Sequence, residues 1–146
     1  FIKKLMKKTP NTKFDLYGMS NKQPIWADNF INAISQSKIG LNLSQGVPAK
    51  YYSSDRFSQL MGNGLLVMIN EKTKFGNFFN KDEIVLYKNV DDLSEKIQKY
   101  SNDDKARKKI AKNGRNKYFK YFNSTIIADF IIKKAFSQKH KKFFWE

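Results

Sequence analysis

Cysteine is absent from this chain of 146 residues, and histidine occurs once, as His140. The lack of cysteine excludes disulfide bonds, thiolate metal sites and a cysteine nucleophile. A single histidine near the C-terminal end argues against a Ser-His-Asp triad and against a histidine-rich metal site. No apolar run approaches the roughly 20 residues that span a bilayer, and no signal peptide is visible. A cytoplasmic location is therefore the default expectation.

Arginine is also scarce, because lysine supplies all but three of the 28 basic residues. The formal net charge of +15 has two readings. A composition rich in lysine, asparagine and isoleucine is what an AT-rich genome imposes on any protein. A functional excess would instead attract anionic lipid, nucleic acid or phosphorylated small molecules. Charge alone does not choose among these partners.

The size and composition are those of one globular domain. Hydrophobic residues make up 40% of the chain and aromatic residues 15%, which is enough for a packed core. The chain begins at Phe1 with what looks like one face of a helix, so we expect the C-terminal part of a longer polypeptide. We predict a domain over residues 1–136 and a basic, aromatic C-terminal tail over residues 137–146.

The stretch from Tyr51 to Asn70 carries the strongest local pattern. Residues 53–55 are Ser-Ser-Asp, whose side-chain oxygens suit the N-cap of a helix. A helix is predicted next by apolar residues at positions i, i+3 and i+4, namely Phe57, Leu60 and Met61. Residues 62–64 (Gly-Asn-Gly) end it, and the apolar run 65–69 predicts a strand covered on both faces. A helix start carrying Arg56 beside such a strand is where α/β proteins hold phosphate.

The remaining pattern alternates between helices and strands. Strands are predicted over residues 13–17, 38–44, 65–69 and 83–87. Further helices are predicted over residues 1–9 and 26–37, from a cap at Asp91 through residue 100, from a cap at 101–104 to about 122, and from a cap at 123–124. A helical turn is predicted at 75–79. This order predicts an α/β fold, a doubly wound parallel sheet with C-terminal helices. Ligands of such sheets bind beyond the carboxyl ends of the strands, near the loops at 18–23, 44–50 and 62–64.

Several segments, in this order and spacing, match a known family: IGLNLS at 39–44, RFSQLMGNG at 56–64, the strands at 65–69 and 83–87, DDL at 91–93 and KIAKNG at 109–114. From about Phe14 to Phe136 the chain resembles the C-terminal, donor-binding domain of GT-B glycosyltransferases. The resemblance is to the group 1 kind that includes spore-maturation-protein-like members. It implies a Rossmann-like half of a GT-B fold, a nucleotide-sugar donor and no bound metal. It also implies a surface-glycan, lipopolysaccharide-type or lipid-linked acceptor, held by an N-terminal half.

The family's core motif is similar to Arg-x-x-Glu followed by a turn of small residues that ends in glycine. Arg56 and Gly64 match the arginine and the glycine, and Gln59 stands where the family has the glutamate that binds ribose hydroxyls. Retaining relatives carry a second glutamate, and Tyr51 stands at that position. The resemblance thus implies that Arg56 binds the donor diphosphate and Gln59 the ribose. It leaves open the base, the sugar and whether transfer inverts or retains configuration.

Six further residues complete the predicted donor site. Two lie at the predicted helix start, two in the preceding loop, and two at the strand edge that commonly holds the base: Ser54, Asp55, Gly46, Lys50, Gly18 and Met19. Two of the predicted site residues also have interpretations that involve no ligand. Arg56 could form a surface salt bridge with Asp55 or Glu71, and Lys50 could be an ordinary solvent-exposed lysine.

The C-terminal tail mixes cations with aromatic residues over 139–145, a pattern suited to a membrane interface. It could equally be frayed, or pack against another part of a longer protein. For the whole chain, the alternative to glycosyl transfer is a non-catalytic basic module that binds nucleic acid or anionic membrane. No nucleic-acid recognition motif is visible, so a nucleic-acid partner is not expected. A degenerate transferase fold used as a scaffold is a third reading, because Gln59 replaces the glutamate.

Overall fold

The centre of the fold is a three-stranded parallel β-sheet. The computed structural model describes residues 1–19, 21–44 and 46–146, so Ser20 and Gln45 of the predicted loops lie outside the described residues. The strands are β1 (Ile39–Asn42), β2 (Leu66–Asn70) and β3 (Val85–Tyr87), in the spatial order β1-β2-β3. Ile39 is paired with Leu66 and Met68 with Val85. The prediction of a parallel α/β sheet is therefore confirmed, with β2 at its centre.

Helices precede, connect and follow the strands. Those of the described ranges are α1 (Ile2–Lys8), α2 (Ala27–Ser35), α3 (Arg56–Gly62), α4 (Val90–Asn102), α5 (Asp104–Tyr121) and α6 (Ser124–Ala135). Two 3-10 turns, Glu71–Thr73 and Phe75–Asn77, follow β2. Asp103 and Asn123 cap α5 and α6 through their side chains, which confirms the predicted caps. The cap of α4 is Asn89 and not the predicted Asp91, because Asn89 is the last residue with extended backbone.

The predicted strand over residues 13–17 is wrong. This segment is irregular, and no backbone hydrogen bond joins it to β1 within the described ranges. Phe14 and Leu16 are only partly buried, Tyr17 is exposed, and Asp15 pairs with Lys13 at 3.6 Å in solvent. So little apolar burial does not offset the entropy of ordering an edge strand.

Alternate residues of β2 belong to two different apolar clusters. Leu66 and Met68 pack with residues of α1, α4 and β3, whereas Val67 and Ile69 pack with residues of α2, α3 and the 3-10 turns. Successive side chains of a strand point to opposite faces, so the two clusters lie on opposite faces of the sheet. A parallel sheet covered on both faces is the arrangement that an unbroken apolar strand predicts.

Helix α5 crosses the sheet edge at very short range. A Cβ atom added to Gly114 would lie 2.1 Å from the carbonyl oxygen of Glu83 and 3.0 Å from Cε of Met61. Beside this crossing, Nζ of Lys117 lies 2.8 Å from a carboxylate oxygen of Glu83, and both side chains are largely buried. Gly114 therefore fixes how closely α5 approaches the segment before β3.

The C-terminal tail folds back along α5 and α6. The ring of Trp145 stacks on Phe122, with centroids 5.5 Å apart, and Phe143 meets Phe130 edge-on at 5.2 Å. Glu146 holds the end of the tail, since one carboxylate oxygen lies 2.6 Å from Nζ of Lys134 and the other accepts from the amide of Phe143 at 2.8 Å. Phe143 and Trp145 thus pack against the protein.

We expect Gly114→Ala to lower the free energy of unfolding by about 3 kcal/mol, because the added methyl group meets backbone that cannot yield. Urea denaturation measures the change. Gly62→Ala is the matched control, since a Cβ atom there meets only the ring of Phe119 at 4.0 Å, and it should change stability by less than about 1 kcal/mol. Equal effects of the two substitutions would contradict the close crossing of α5.

Docking of the C-terminal tail should weaken in acid. The hydrogen bond from Lys134, with that from the Phe143 amide, lowers the pKa of Glu146 from 4.5 to about 2. A carboxyl group whose pKa is lower in the docked state stabilises docking above its ordinary pKa, and this stabilisation is lost as the pH falls from about 4.5 to about 2. Trp145 fluorescence in a Trp26→Phe background reports the change as a shift to longer wavelength. Glu146→Gln should abolish the pH dependence over this range, and an unchanged titration in that variant would refute the role of Glu146.

Candidate functional site

A hydrogen bond fixes the chain at the carboxyl end of β1. The hydroxyl of Ser54 donates to Oδ1 of Asn42, the last residue of β1, at 3.0 Å. Asn42 is only 4% exposed, so this bond satisfies a buried amide oxygen. The segment before α3 is thereby held at the edge of a parallel sheet where ligands bind.

An open cleft of about 370 Å³ lies beside this bond. Its walls are formed by α2, α3 and the segment before α3, through Phe30, Tyr52, Ser54, Asp55, Arg56 and Gln59. Arg56 and Gln59 are three residues apart on α3, so they share a face of that helix. The volume lies within the range of small-molecule sites. The structure thus brings four of the predicted donor-site residues together.

Arg56 supplies positive charge to the cleft. The sequence leaves open a surface salt bridge with Asp55 or Glu71, but Arg56 forms no ion pair with a carboxylate of the described residues. Its side chain is exposed at the cleft wall. The guanidinium is therefore available to a ligand, and its planar fork suits the two oxygens of a phosphate.

The predicted capping of α3 by a side chain is wrong. Asp55 is the N-cap residue, but its carboxylate accepts no hydrogen bond from the first turn. The cause is local, because Asp55 has helical backbone angles (φ −51°, ψ −25°), whereas a capping side chain needs extended backbone to reach the free amides. Ser54 makes no such bond either, since its hydroxyl binds Asn42. Asp55 thus offers the cleft a carboxylate that can accept hydrogen bonds from ligand hydroxyls.

The other four predicted residues do not line this cleft. Nζ of Lys50 lies 4.8 Å above the ring of Tyr51. Gly46 is exposed with φ of +73°, and Gly18, with φ of +71°, lies beside Pro24. Met19 is exposed. A role for Lys50, Gly46, Gly18 or Met19 in donor binding stays a prediction.

Tyr51 is held by the 3-10 turns that follow β2. Its backbone has φ of +59°, and its amide donates to the carbonyl of Thr73 at 2.8 Å. Its hydroxyl accepts from Nδ2 of Asn77 at 2.8 Å. The polar atoms of Tyr51 are therefore engaged by the protein.

Sequence reasoning missed two aromatic residues of the cleft, Phe30 and Tyr52. Phe30 carries the periodicity of a core residue, and it does pack partly on the second apolar cluster. Tyr52 is 55% exposed. No local sequence signal separates Tyr52 from an ordinary exposed tyrosine, because single aromatic residues are common on protein surfaces.

A second, more apolar cleft of about 350 Å³ shares Ser54 and Asp55 with the first. Its remaining walls are mostly aromatic, including Phe78, Tyr118 and Phe122. Burial raises the pKa of the Tyr118 hydroxyl, against a smaller opposing effect of its hydrogen bond with Ser58.

The family model described as glycosyl transferase-like matches residues 1–133. The chain belongs to this glycosyl transferase-like family. The match spans the sheet and the whole cleft, so the prediction of a glycosyltransferase domain is confirmed. No curated protein and no solved structure matches the chain. Within the described ranges, no cluster of three or more histidine, aspartate or glutamate residues is placed to hold a metal ion in this glycosyltransferase domain.

We expect Ser54→Ala to lower the free energy of unfolding by about 1–2 kcal/mol, because the buried oxygen of Asn42 loses its hydrogen bond. Chemical denaturation measures this loss. Ser35→Ala is the matched control, since it removes an exposed hydroxyl that bonds only to the carbonyl of Asn32, and it should change stability by less than about 0.5 kcal/mol. Equal stability of the two variants would show that the Ser54–Asn42 bond does not hold the cleft.

Proposed function

We propose that the cleft binds a nucleotide-sugar donor, and that the chain is the donor-binding half of a GT-B glycosyltransferase of the group 1, spore-maturation-protein-like kind. One observation carries this proposal. Arg56, which matches the arginine of the family's donor motif, and Gln59, which stands at its glutamate position, lie together on the wall of an open cleft in a chain whose family is glycosyl transferase-like. The doubly wound sheet of a complete Rossmann-like half belongs to the same proposal.

Arg56 has the chemistry to hold the donor diphosphate. Sugar transfer breaks the bond between the sugar and the diphosphate, so negative charge grows on the leaving phosphate oxygen. A guanidinium fixed at that position stabilises the charge as it develops. Because Arg56 supplies a positive charge, we propose that donor binding needs no metal ion.

The polar groups beside Arg56 suit a ribose or sugar ring. The amide of Gln59 can donate to one hydroxyl while its carbonyl accepts from another. The hydroxyl of Ser54 has its hydrogen directed at Asn42, so its lone pairs can accept from a ligand hydroxyl. Phe30 and Tyr52 offer apolar surface on which a ring can pack.

The acceptor is proposed from the resemblance alone. We propose a surface glycan or a lipopolysaccharide-type or lipid-linked acceptor, held by an N-terminal half that also supplies any catalytic base. Without that half, this chain should bind donor weakly and transfer no sugar. A cytoplasmic location stays the expectation.

Calorimetric titration with UDP, GDP and ADP tests the donor site. We expect at least one of them to bind, and Arg56→Ala to weaken that binding by about tenfold to a hundredfold, as for loss of a charged hydrogen bond. Lys81→Ala removes the same charge from an exposed loop outside the cleft, and it should leave the affinity within about twofold. No binding at millimolar nucleotide, or equal losses in both variants, would refute the donor site.

The role of Gln59 is tested with a matched pair of nucleotides. If its amide binds ribose hydroxyls, the chain should prefer the ribonucleotide to its 2′-deoxy form, and Gln59→Leu should remove that preference. Gln59→Glu restores the family residue and should tighten ribonucleotide binding several-fold through a charge-assisted hydrogen bond. If the Gln59→Leu variant still prefers the ribonucleotide to its 2′-deoxy form, another residue binds the ribose hydroxyls.

The competing proposal is that the chain is a non-catalytic basic module. The net charge of +15 is the observation that favours it. Such a module would bind a random oligonucleotide with steep salt dependence, because it would act by displacing counterions. Its binding would also be indifferent to Arg56→Ala. That result, together with no nucleotide binding, would replace the glycosyltransferase proposal.

A further inference from the structure

Tyr52 presents an open aromatic ring in the cleft that also carries Arg56 and Gln59, here called the first cleft. The residue is 55% exposed, and no other aromatic ring of the described residues contacts it. A single exposed tyrosine is ordinary on a protein surface. This one lies on the wall of a cleft within the size range of small-molecule sites, so its ring is available to a ligand.

The chain holds Tyr52 between two fixed points. On one side, the amide of Tyr51 donates to the carbonyl of Thr73 at 2.8 Å. On the other side, the hydroxyl of Ser54 donates to Oδ1 of Asn42 at 3.0 Å. The backbone of Tyr52 is therefore positioned before a ligand arrives, and this lowers the entropy cost of binding to its ring.

Tyr51 and Tyr52 are adjacent in the chain, but their rings lie in different places. The ring of Tyr51 packs on Phe78, with centroids 5.1 Å apart, and Phe78 lines the second cleft. The ring of Tyr52 lies on the wall of the first cleft. Between them the backbone of Tyr51 has φ of +59°, a left-handed conformation that is unfavourable for a bulky residue. Such strain persists only where the surrounding structure enforces it, and it is concentrated at ligand sites.

We propose that Tyr52 stacks on the nucleobase of the donor. This inference rests on the proposed function, which assigns the diphosphate to Arg56 and the ribose to Gln59. The nucleobase is the flat aromatic ring of a nucleotide sugar, and every base presents a π-face to a tyrosine ring. Offset stacking of two such rings needs no hydrogen bond from the protein. Phe30, the other aromatic residue of the first cleft, packs partly on the second apolar cluster, so it offers the base less free surface.

Stacking on Tyr52 makes it a positioning residue. The base and the diphosphate are attached on opposite sides of the ribose, so a contact at each end orients the whole nucleotide. Tyr52 at the base and Arg56 at the diphosphate together direct the bond that breaks in sugar transfer towards one place. Tyr52 itself touches no reacting atom.

Calorimetry and proton NMR with UDP, GDP and ADP test the stacking. We expect Tyr52→Ala to weaken binding of the nucleotide that the wild-type chain binds by about tenfold, through loss of the stacked ring. Tyr52→Phe keeps the ring and should hold the affinity within about threefold. In the wild type and in Tyr52→Phe, the ring current of the stacked side chain should shift the base protons of the bound nucleotide upfield. Tyr52→Ala should lose this shift.

Two controls separate stacking from a general effect on the fold. Inorganic pyrophosphate carries no ring, so Tyr52→Ala should bind it as tightly as the wild type does. Phe136→Ala removes a ring that is 73% exposed and lies outside the first cleft, and it should leave nucleotide affinity within about twofold. A loss of pyrophosphate binding equal to the loss of nucleotide binding, or equal nucleotide losses in the two alanine variants, would overturn the stacking role.

The outcomes also separate this inference from the donor site itself. If a nucleotide binds the wild type and Tyr52→Ala equally well, or if the upfield shift survives in Tyr52→Ala, the base lies elsewhere and the donor site stands. If no nucleotide binds the wild-type chain, the donor site is refuted and the role of Tyr52 is refuted with it.

Discussion

The burial of β2 on both faces is the constraint on which the rest of the structure depends. A strand whose side chains are apolar on both sides needs a helical layer against each face. On one face α3 meets this need with Phe57, Leu60 and Met61. A helix that turns these residues inward must turn the intervening positions outward. Arg56 and Gln59 therefore reach the cleft because the core residues between and beside them are committed to β2.

The sequence predicts the buried parts of this fold well, because their patterns follow directly from burial. The apolar run of β2, the apolar face of α3 and the side-chain caps of α5 and α6 were all visible in local sequence. The strand predicted over residues 13–17 is wrong. Its apolar residues follow the pattern of a strand, but they bury too little apolar surface to hold a strand at the sheet edge. Whether a strand forms at a sheet edge depends on what covers it, and local sequence does not contain that information.

Some residues of the cleft could be predicted from the sequence, and others could not. Arg56 and Gln59 were predicted from the resemblance to a family motif, and their spacing of three residues on α3 places both on the cleft wall. Their role in donor binding stays a prediction. Capping by Asp55 was expected from residue type, but capping depends on the backbone angles of Asp55, which the tertiary position of Ser54 helps to set. Tyr52 and Phe30 were missed because they reach the cleft from separate elements. Only the path of the chain, held by the bond from Ser54 to Asn42, brings them together.

The resemblance implies a glutamate at the position of Gln59, and the carboxylate of Asp55 in the same cleft bears on this difference. The cleft already holds one carboxylate, from Asp55, and one guanidinium, from Arg56. A glutamate at position 59 would give the cleft a net negative charge, which opposes the approach of a diphosphate. Gln59 keeps the formal charge balanced while its amide still offers a donor and an acceptor to a ribose. In the proposed donor site, Gln59 therefore lacks the charge-assisted hydrogen bond to the ribose and spares the diphosphate one repulsive charge. That repulsion is screened by solvent in an open cleft, so the hydrogen bond has the larger effect on affinity.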